Sequence, residues 1–357
     1  GVAARGAFAQ GLTFPKGAII RTILKDYAPE ELAGGAISFH EHMQLGTDFN
    51  AKFSAASAAA RAANAVGAPQ ARGGGAVPAV PGPAPVPGGG GAKGPAAAKG
   101  PDIMRSVDLM SAEVAKAKSE GYGCLVDGGH ADMGRDVEFL RQVSMKSGMP
   151  IVIGGGFYSQ PYYPKEISTM SEEQIVKALI KQADDDTLGV FGEIGSWDDI
   201  TVDERKVFRA VGKAHVATNL PIFTHTGIPG KSAMEQLDIL EDAGVKPERV
   251  IIGHLGNLVD TNVAVHRAIC RRGAFVGFDR QGVNDTQQVP MVMALIEAGY
   301  ADHLMFAADA SSGYGKTLTA FVPKVKAAGA TDEVLHKIMY DNPRRFLAFV
   351  PKRSRKK

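Results

Sequence analysis

Eight short apolar runs, each ending in glycine or a polar residue, constrain the fold of this chain more than any other feature. They are AISFH (36–40), CLVDG (124–128), IVIGG (151–155), VFGEIG (190–195), IFTHTG (222–227), VIIGH (250–254), FVGFD (275–279) and LMFAAD (304–309). Amphipathic segments separate them, the βαβα alternation of a parallel sheet with helices outside. Counted at positions 193, 225, 254, 279 and 309, the intervals are 32, 29, 25 and 30 residues. Eight strands at so even a period predict an α/β fold of the (β/α)₈ TIM barrel kind. A doubly wound open sheet would carry a glycine-rich phosphate turn after its first strand, and none follows AISFH.

Helix limits can be read between the runs. Ser171 with Gln174, Thr201 with Glu204 and Ser232 with Glu235 have capping-box spacing, and Gly121, Gly244, Gly273 and Gly299 stand where helices end in a left-handed residue. The barrel domain is read as 26–351, between an N-terminal segment 1–25 and a basic, solvated tail 352–357. At about 51–100 the composition turns to Ala, Gly and Pro, as in ARGGGAVPAVPGPAPVPGGGG. With little apolar surface to offset ordering, it is read as a disordered insertion without aromatic anchors, solvated slack on the catalytic face rather than a lid.

Composition narrows the partners. Net charge is +2 over 357 residues, and 45% of the residues are hydrophobic, which gives room for a large core and no global reason to expect nucleic acid or a membrane surface. No apolar run reaches the roughly 18 residues that span a bilayer. The two cysteines, Cys124 and Cys270, define no disulfide framework and are expected to be buried. Ala7-Phe8-Ala9 in GVAARGAFAQG fits a signal-peptidase site, so the start is read as an export-signal remnant, favouring a periplasmic or secreted location over a cytoplasmic one. A small-molecule substrate is the expected partner.

Polar residues gather at the C-terminal strand ends, where barrel enzymes place their chemistry. His40 and His42 lie two apart on the first strand and so share a face, with Glu41 pointing away in a structural role. His225 and His254 each leave an otherwise apolar strand. Glu193 is a carboxylate on a buried strand, costly unless paired or coordinated, and Asp309 closes the last strand. Four imidazoles and two carboxylates suffice for two divalent metal ions. Zinc is favoured by the histidines, and manganese, cobalt or iron fit the same cage. Two such ions lower the pKa of a shared water and polarise an electrophilic oxygen, with Asp309 accepting the water's proton.

On FHEH, VDGGHADMGRD, GGGFY, GEIG, THTG, IGHLG, GFDRQG, AAD and DNPRRFL, the chain resembles the phosphotriesterase family of the amidohydrolase superfamily from Ile37 to Pro351, the insertion excepted. The resemblance implies His40, His42 and Asp309 on the more buried metal and His225 and His254 on the more exposed one. The bridging ligand, a carboxylated lysine in many members, would be Glu193, forming without carbon dioxide and weighing against organophosphate activity. Tyr158 and Arg280 would sit beside the metals and under the substrate, as in lactonase-like members, and a homodimer is expected by the same analogy. The implied reaction is ester-type hydrolysis, a lactone first. The alternatives are a phosphotriesterase, a mononuclear amidohydrolase and a metal-containing binding module without catalysis. Of the other histidines, His130 follows the second strand and could reach the pocket. His215 and His266 are read as helix-surface residues, and His303 lies at the opposite end of the barrel.

Overall fold

A computed structural model describes residues 12–66, 102–227, 230, 232–258, 260 and 262–352. All eight expected strands form: β1 (Ala36–Glu41), β2 (Tyr122–Asp127), β3 (Ile151–Ile153), β4 (Phe191–Gly195), β5 (Ile222–His225), β6 (Val250–Ile252), β7 (Phe275–Phe278) and β8 (Leu304–Phe306). β1 to β3 pair in parallel in chain order, as do β4 to β8. Backbone bonds close the two seams. Gly189 N and Gly192 N donate to Ile153 O and Gly155 O at 3.0 and 2.9 Å, and His42 N and Asp309 N to Ala310 O and His40 O at 2.9 and 3.2 Å. The sheet is therefore the closed TIM barrel that the strand spacing predicts.

Alternation sorts the side chains. Ile37, Phe39, Cys124, Val126, Val152, Val190, Phe223, Ile251, Phe275 and Met305 pack inside the barrel as one cluster, and Ile20 plugs its lower end. A second, larger cluster lies between strands and helices, including Ile153, Ile222, Ile252 and Leu295. Just ahead of β1, a two-residue hairpin (Ile20–Arg21 with Asp26–Tyr27) folds under the barrel, and Ile19 bridges antiparallel to Phe349. Both cysteines are buried and unpaired, as expected.

The alternation breaks at two places, and both breaks serve the mouth of the barrel. The β1–β2 register shifts between Ser38 and Glu41. Phe39 and His40, though adjacent, both reach inward against Phe223, whereas Ser38 Oγ donates outward to Glu41 at 2.6 Å. The β4–β5 register shifts between Phe191 and Ile194, which turns Glu193 into the barrel while Phe191 and Ile194 pack outward. Bulges beside active sites commonly re-aim a side chain in this way.

The outer helices are α1 (Phe49–Val66), α2 (Val107–Ser119), α3 (Val137–Ser147), α4 (Glu172–Asp185), α5 (Val202–Thr218), α6 (Ala233–Asp242), α7 (Ala264–Arg272) and α8 (Asp285–Glu297), followed by helical segments between Thr317 and Leu347. Ser171 and Thr201 form their expected capping boxes on α4 and α5. Ser232 forms none at α6: it is in helical conformation, and its hydroxyl is engaged by Ser196 at 3.3 Å. The four helix-ending glycines all have positive φ.

The insertion reading needs correction in its first third. Residues 51–66 belong to α1, and Phe53 is an aromatic anchor packed on Trp197, with ring centres 5.3 Å apart. Alanine favours helix more than any other residue, and the run from Ala55 to Ala60 is nearly all alanine. Residues 67–101, most of the insertion, lie outside the described residues, as do 1–11 and 353–357. Among the described residues no helix is long and apolar enough to cross a membrane.

A candidate metal centre at the barrel mouth

All six strand-end candidates meet in one buried cluster. His225 Nδ1 and His254 Nε2 stand 2.7 and 2.6 Å from Glu193 Oε1 and 2.8 Å from each other. His40 Nε2 lies 3.2 Å from His42 Nε2 and 3.4 Å from Glu193 Oε2, and Asp309 Oδ1 is 3.2 Å from His42 Nε2. Three triplets with ligand atoms in mutual reach follow among the described residues, His40–His42–Asp309, His40–Glu193–His254 and His254–Asp279–Asp309. His254 and Asp309 lie beyond the ends of their strands with φ of 58° and 48°, left-handed conformations that turn each side chain back over the mouth.

Asp279, passed over in the sequence reading, completes the centre. It ends FVGFD at the same position where His254 and Asp309 end their runs, and that shared position is the signal that would have found it. Its Oδ1 lies 2.8 Å from His254 Nδ1 and its Oδ2 3.4 Å from His40 Nδ1, so one carboxylate orients two imidazoles and fixes which ring nitrogen of each faces the cluster.

The donor set suits cations. Two pairs of imidazole nitrogens face each other, and one proton at most can sit between each pair. Around them stand carboxylate oxygens, and His42 Nδ1 is buried without a hydrogen-bond partner. Such a surplus of lone pairs is expensive in a dry interior unless positive charge fills it. The shifted acidities show the same tension. Burial alone would raise the Glu193 and Asp309 carboxyls, yet both fall well below the usual range, Glu193 because of His40 and His225, Asp309 because of His40 and Arg280. Burial also opposes charge on His40, but Glu193 and Asp309 outweigh it and raise its pKa. Burial and His254 together push His225 down to about 4.

Tyr158 and Arg280 both stand against the cluster. Tyr158 Oη is 3.0 Å from His225 Nδ1. Arg280, at φ 61°, donates from Nε to Asp309 Oδ2 at 2.7 Å and places Nη2 3.3 Å from His254 Nε2. Above them opens a cavity of about 350 Å³ whose lining includes His42, Glu193, Tyr158, Arg280 and Asp309, with Phe49 and Phe53 from α1 and Lys316 from the segment after β8. The α1 wall and Lys316 were not foreseen from the sequence.

The remaining histidines stand apart. His130 is fully buried, its Nδ1 3.6 Å from Asp132 Oδ1, and is not part of the cavity lining. His215 and His266 are buried rather than at the surface. Each binds a backbone carbonyl, Leu220 O at 2.6 Å and Leu255 O at 2.9 Å, and His266 stacks on Phe278. Position 215 continues the inward face of Phe208 and Val211, so helical periodicity foretells its burial. His303 binds Ala274 O below the strands, away from the mouth. Glu41 is structural, as expected: it accepts from Ala308 N and Ala310 N at 3.0 Å, and burial pushes its carboxyl up to about 7.

Comparison with known proteins bears on the family and the fold. The sequence model described as the phosphotriesterase family matches residues 30–347. Among curated proteins, an N-acetyltaurine hydrolase of Pongo abelii is 29% identical over 269 residues, 66% of this chain and 76% of the relative. An aryldialkylphosphatase of Saccharolobus solfataricus is 28% identical over 265 residues, 66% and 84% of the two chains. Among solved structures, a lactonase of Listeria monocytogenes shares the fold at a TM-score of 0.71 and 21% identity, over 92% of this chain and 98% of that one.

Proposed function

The chain belongs to the phosphotriesterase family and is a metal-dependent hydrolase, and on that premise we propose that it binds two divalent ions, zinc first, and hydrolyses a carboxylic acyl centre. The observation that carries this reading is the convergence of four imidazoles with Glu193, Asp279 and Asp309 at the strand ends. His40, His42 and Asp309 would hold one ion and His225 and His254 the other, with Glu193 between them. When bound, such ions make water acidic enough to attack near neutral pH and draw electrons from the substrate's carbonyl.

The protein groups do the rest. Asp309, kept ionised by His40 and Arg280, accepts the proton of the attacking water and returns it to the leaving group. Arg280 holds Asp309 at 2.7 Å, fixing the oxygen that moves the proton. The Tyr158 hydroxyl, kept protonated by burial, can donate a hydrogen bond to the oxygen on which charge develops. A lactone is the first substrate to test. The second reading is an N-acyl amide, favoured by the relatives named N-acetyltaurine hydrolase.

The test is elemental analysis of the wild type and Glu193→Ala, with lactone, N-acyl amide and phosphotriester turnover measured on the same samples. About two metals per chain, falling together with activity in the variant, is the expected result. Full metal content and turnover in Glu193→Ala would remove the bridge.

A further inference from the structure

We propose that Lys316 anchors a carboxylate or sulfonate at the end of the substrate remote from the scissile carbonyl, so that the natural substrates are small anionic acyl compounds. The proposal rests on the hydrolase reading and adds the substrate class to it.

The cavity lining combines aromatic rings with a lone cation. The rings are Phe49 and Phe53 of α1 with Tyr158, ring centres of Phe49 and Tyr158 6.0 Å apart and of Phe49 and Phe53 6.1 Å apart. The segment after β8 brings Lys316 to the same lining. The other charges of the lining are matched. Arg280 is bound to Asp309, and Glu193 lies among imidazoles. Lys316 alone carries a charge with no carboxylate in reach and no hydrogen-bond acceptor for its ammonium among the described residues, although it is half-buried.

Its backbone, by contrast, is held firmly. Lys316 N donates to Gly313 O at 3.1 Å. The next residue, Thr317, is fully buried and donates its hydroxyl to Gln281 Oε1 at 3.0 Å. A half-buried lysine on a fixed backbone, its ammonium without a partner among the described residues, is poised for an anion supplied from outside, to which it can make a charge-assisted hydrogen bond. A volume of about 350 Å³ limits that ligand to a small molecule, oriented with its anion at Lys316 and its apolar part against Phe49 and Phe53.

The test uses matched pairs on the full-length protein: N-acetyl-β-alanine against its neutral N-methylamide, and γ-butyrolactone-γ-carboxylate against γ-valerolactone. With zinc supplied, the wild type should prefer the anionic member in kcat/KM. Lys316→Gln should cut that preference by about 10- to 100-fold, mainly through KM, and Lys316→Arg should restore most of it. Calorimetric titration of the zinc-free protein with N-acetyl-β-alanine reads the same contact without turnover, and its Kd should weaken similarly in Lys316→Gln, with circular dichroism confirming the fold. An unchanged preference and an unchanged Kd in Lys316→Gln would overturn the anchor while leaving the hydrolase reading intact. A Kd that depends on Lys316 without turnover of either pair under any metal would uphold the anion site and remove the carboxylic acyl reading.

Discussion

Two carboxylates a short distance apart are given different work by their surroundings. Asp309 touches Arg280, His42 and the cavity, whereas Asp279 sits behind His40 and His254 and reaches substrate only through them. Asp309→Asn should therefore cost about 10²- to 10⁴-fold in kcat, and excess metal should not restore it. Asp279→Asn should instead weaken metal affinity about 10- to 100-fold, and excess metal should rescue its turnover. Steady-state kinetics at rising metal concentration separates the two, and rescue of both variants by excess metal would contradict the division. The sequence made His225 legible because it follows a regular strand, Phe223 inward and His225 inward again. It made Asp279 harder to see because only its strand-end position, and no unusual residue type, marked it. The inward aim of His40 and Glu193 was legible from their strand-end positions and not from alternation, because both follow bulges and a bulge breaks the period-two rule.

At the scale of the elements, β4 lies so close to β3 that side chains are excluded between them. A Cβ on Gly154 would stand 2.0 Å from the carbonyl oxygen of Gly192, a backbone atom that cannot move aside without shifting the strand that carries Glu193. Gly154→Ala should accordingly destabilise the fold by at least about 1–3 kcal/mol, seen as a lower thermal midpoint, and weaken metal binding at the same time. An unchanged midpoint would show that the seam is looser than its geometry. The strands and most helix limits were legible because apolar runs and caps are local signals. α1 was not, because its alanines were pooled with the Gly- and Pro-rich residues after them, although alanine extends a helix and the other two break it. Phe49 and Phe53, four residues apart and hence on one helical face, were the overlooked mark of an element with something to pack on.

For the molecule as a whole, three histidines outside the site tie stability to pH. Burial lowers the pKa of His215, His266 and His303 below the 6.5 of the free side chain. The unfolded chain therefore takes up protons that the native one refuses, and the stability these rings contribute is fully present above about 6.5 and lost as pH falls below it. The thermal midpoint should drop between pH 6.5 and 5.5. His266→Phe, which keeps the stacking on Phe278 and removes one titrating ring, should show a shallower drop, and an identical slope in both proteins would exclude this source. The whole architecture was the most legible level, since eight runs at an even period leave few alternatives to a closed barrel. The bridge between Ile19 and Phe349 was not, because pairing between distant segments leaves no local trace. That bridge joins the two ends of the barrel polypeptide on the face away from the chemistry, so the connectivity is in effect a ring. A circular permutant spliced there and opened in the turn before β8 would keep every cavity residue in its native order around the mouth, and a carrier or solid support attached at the splice would leave the entrance facing free solution.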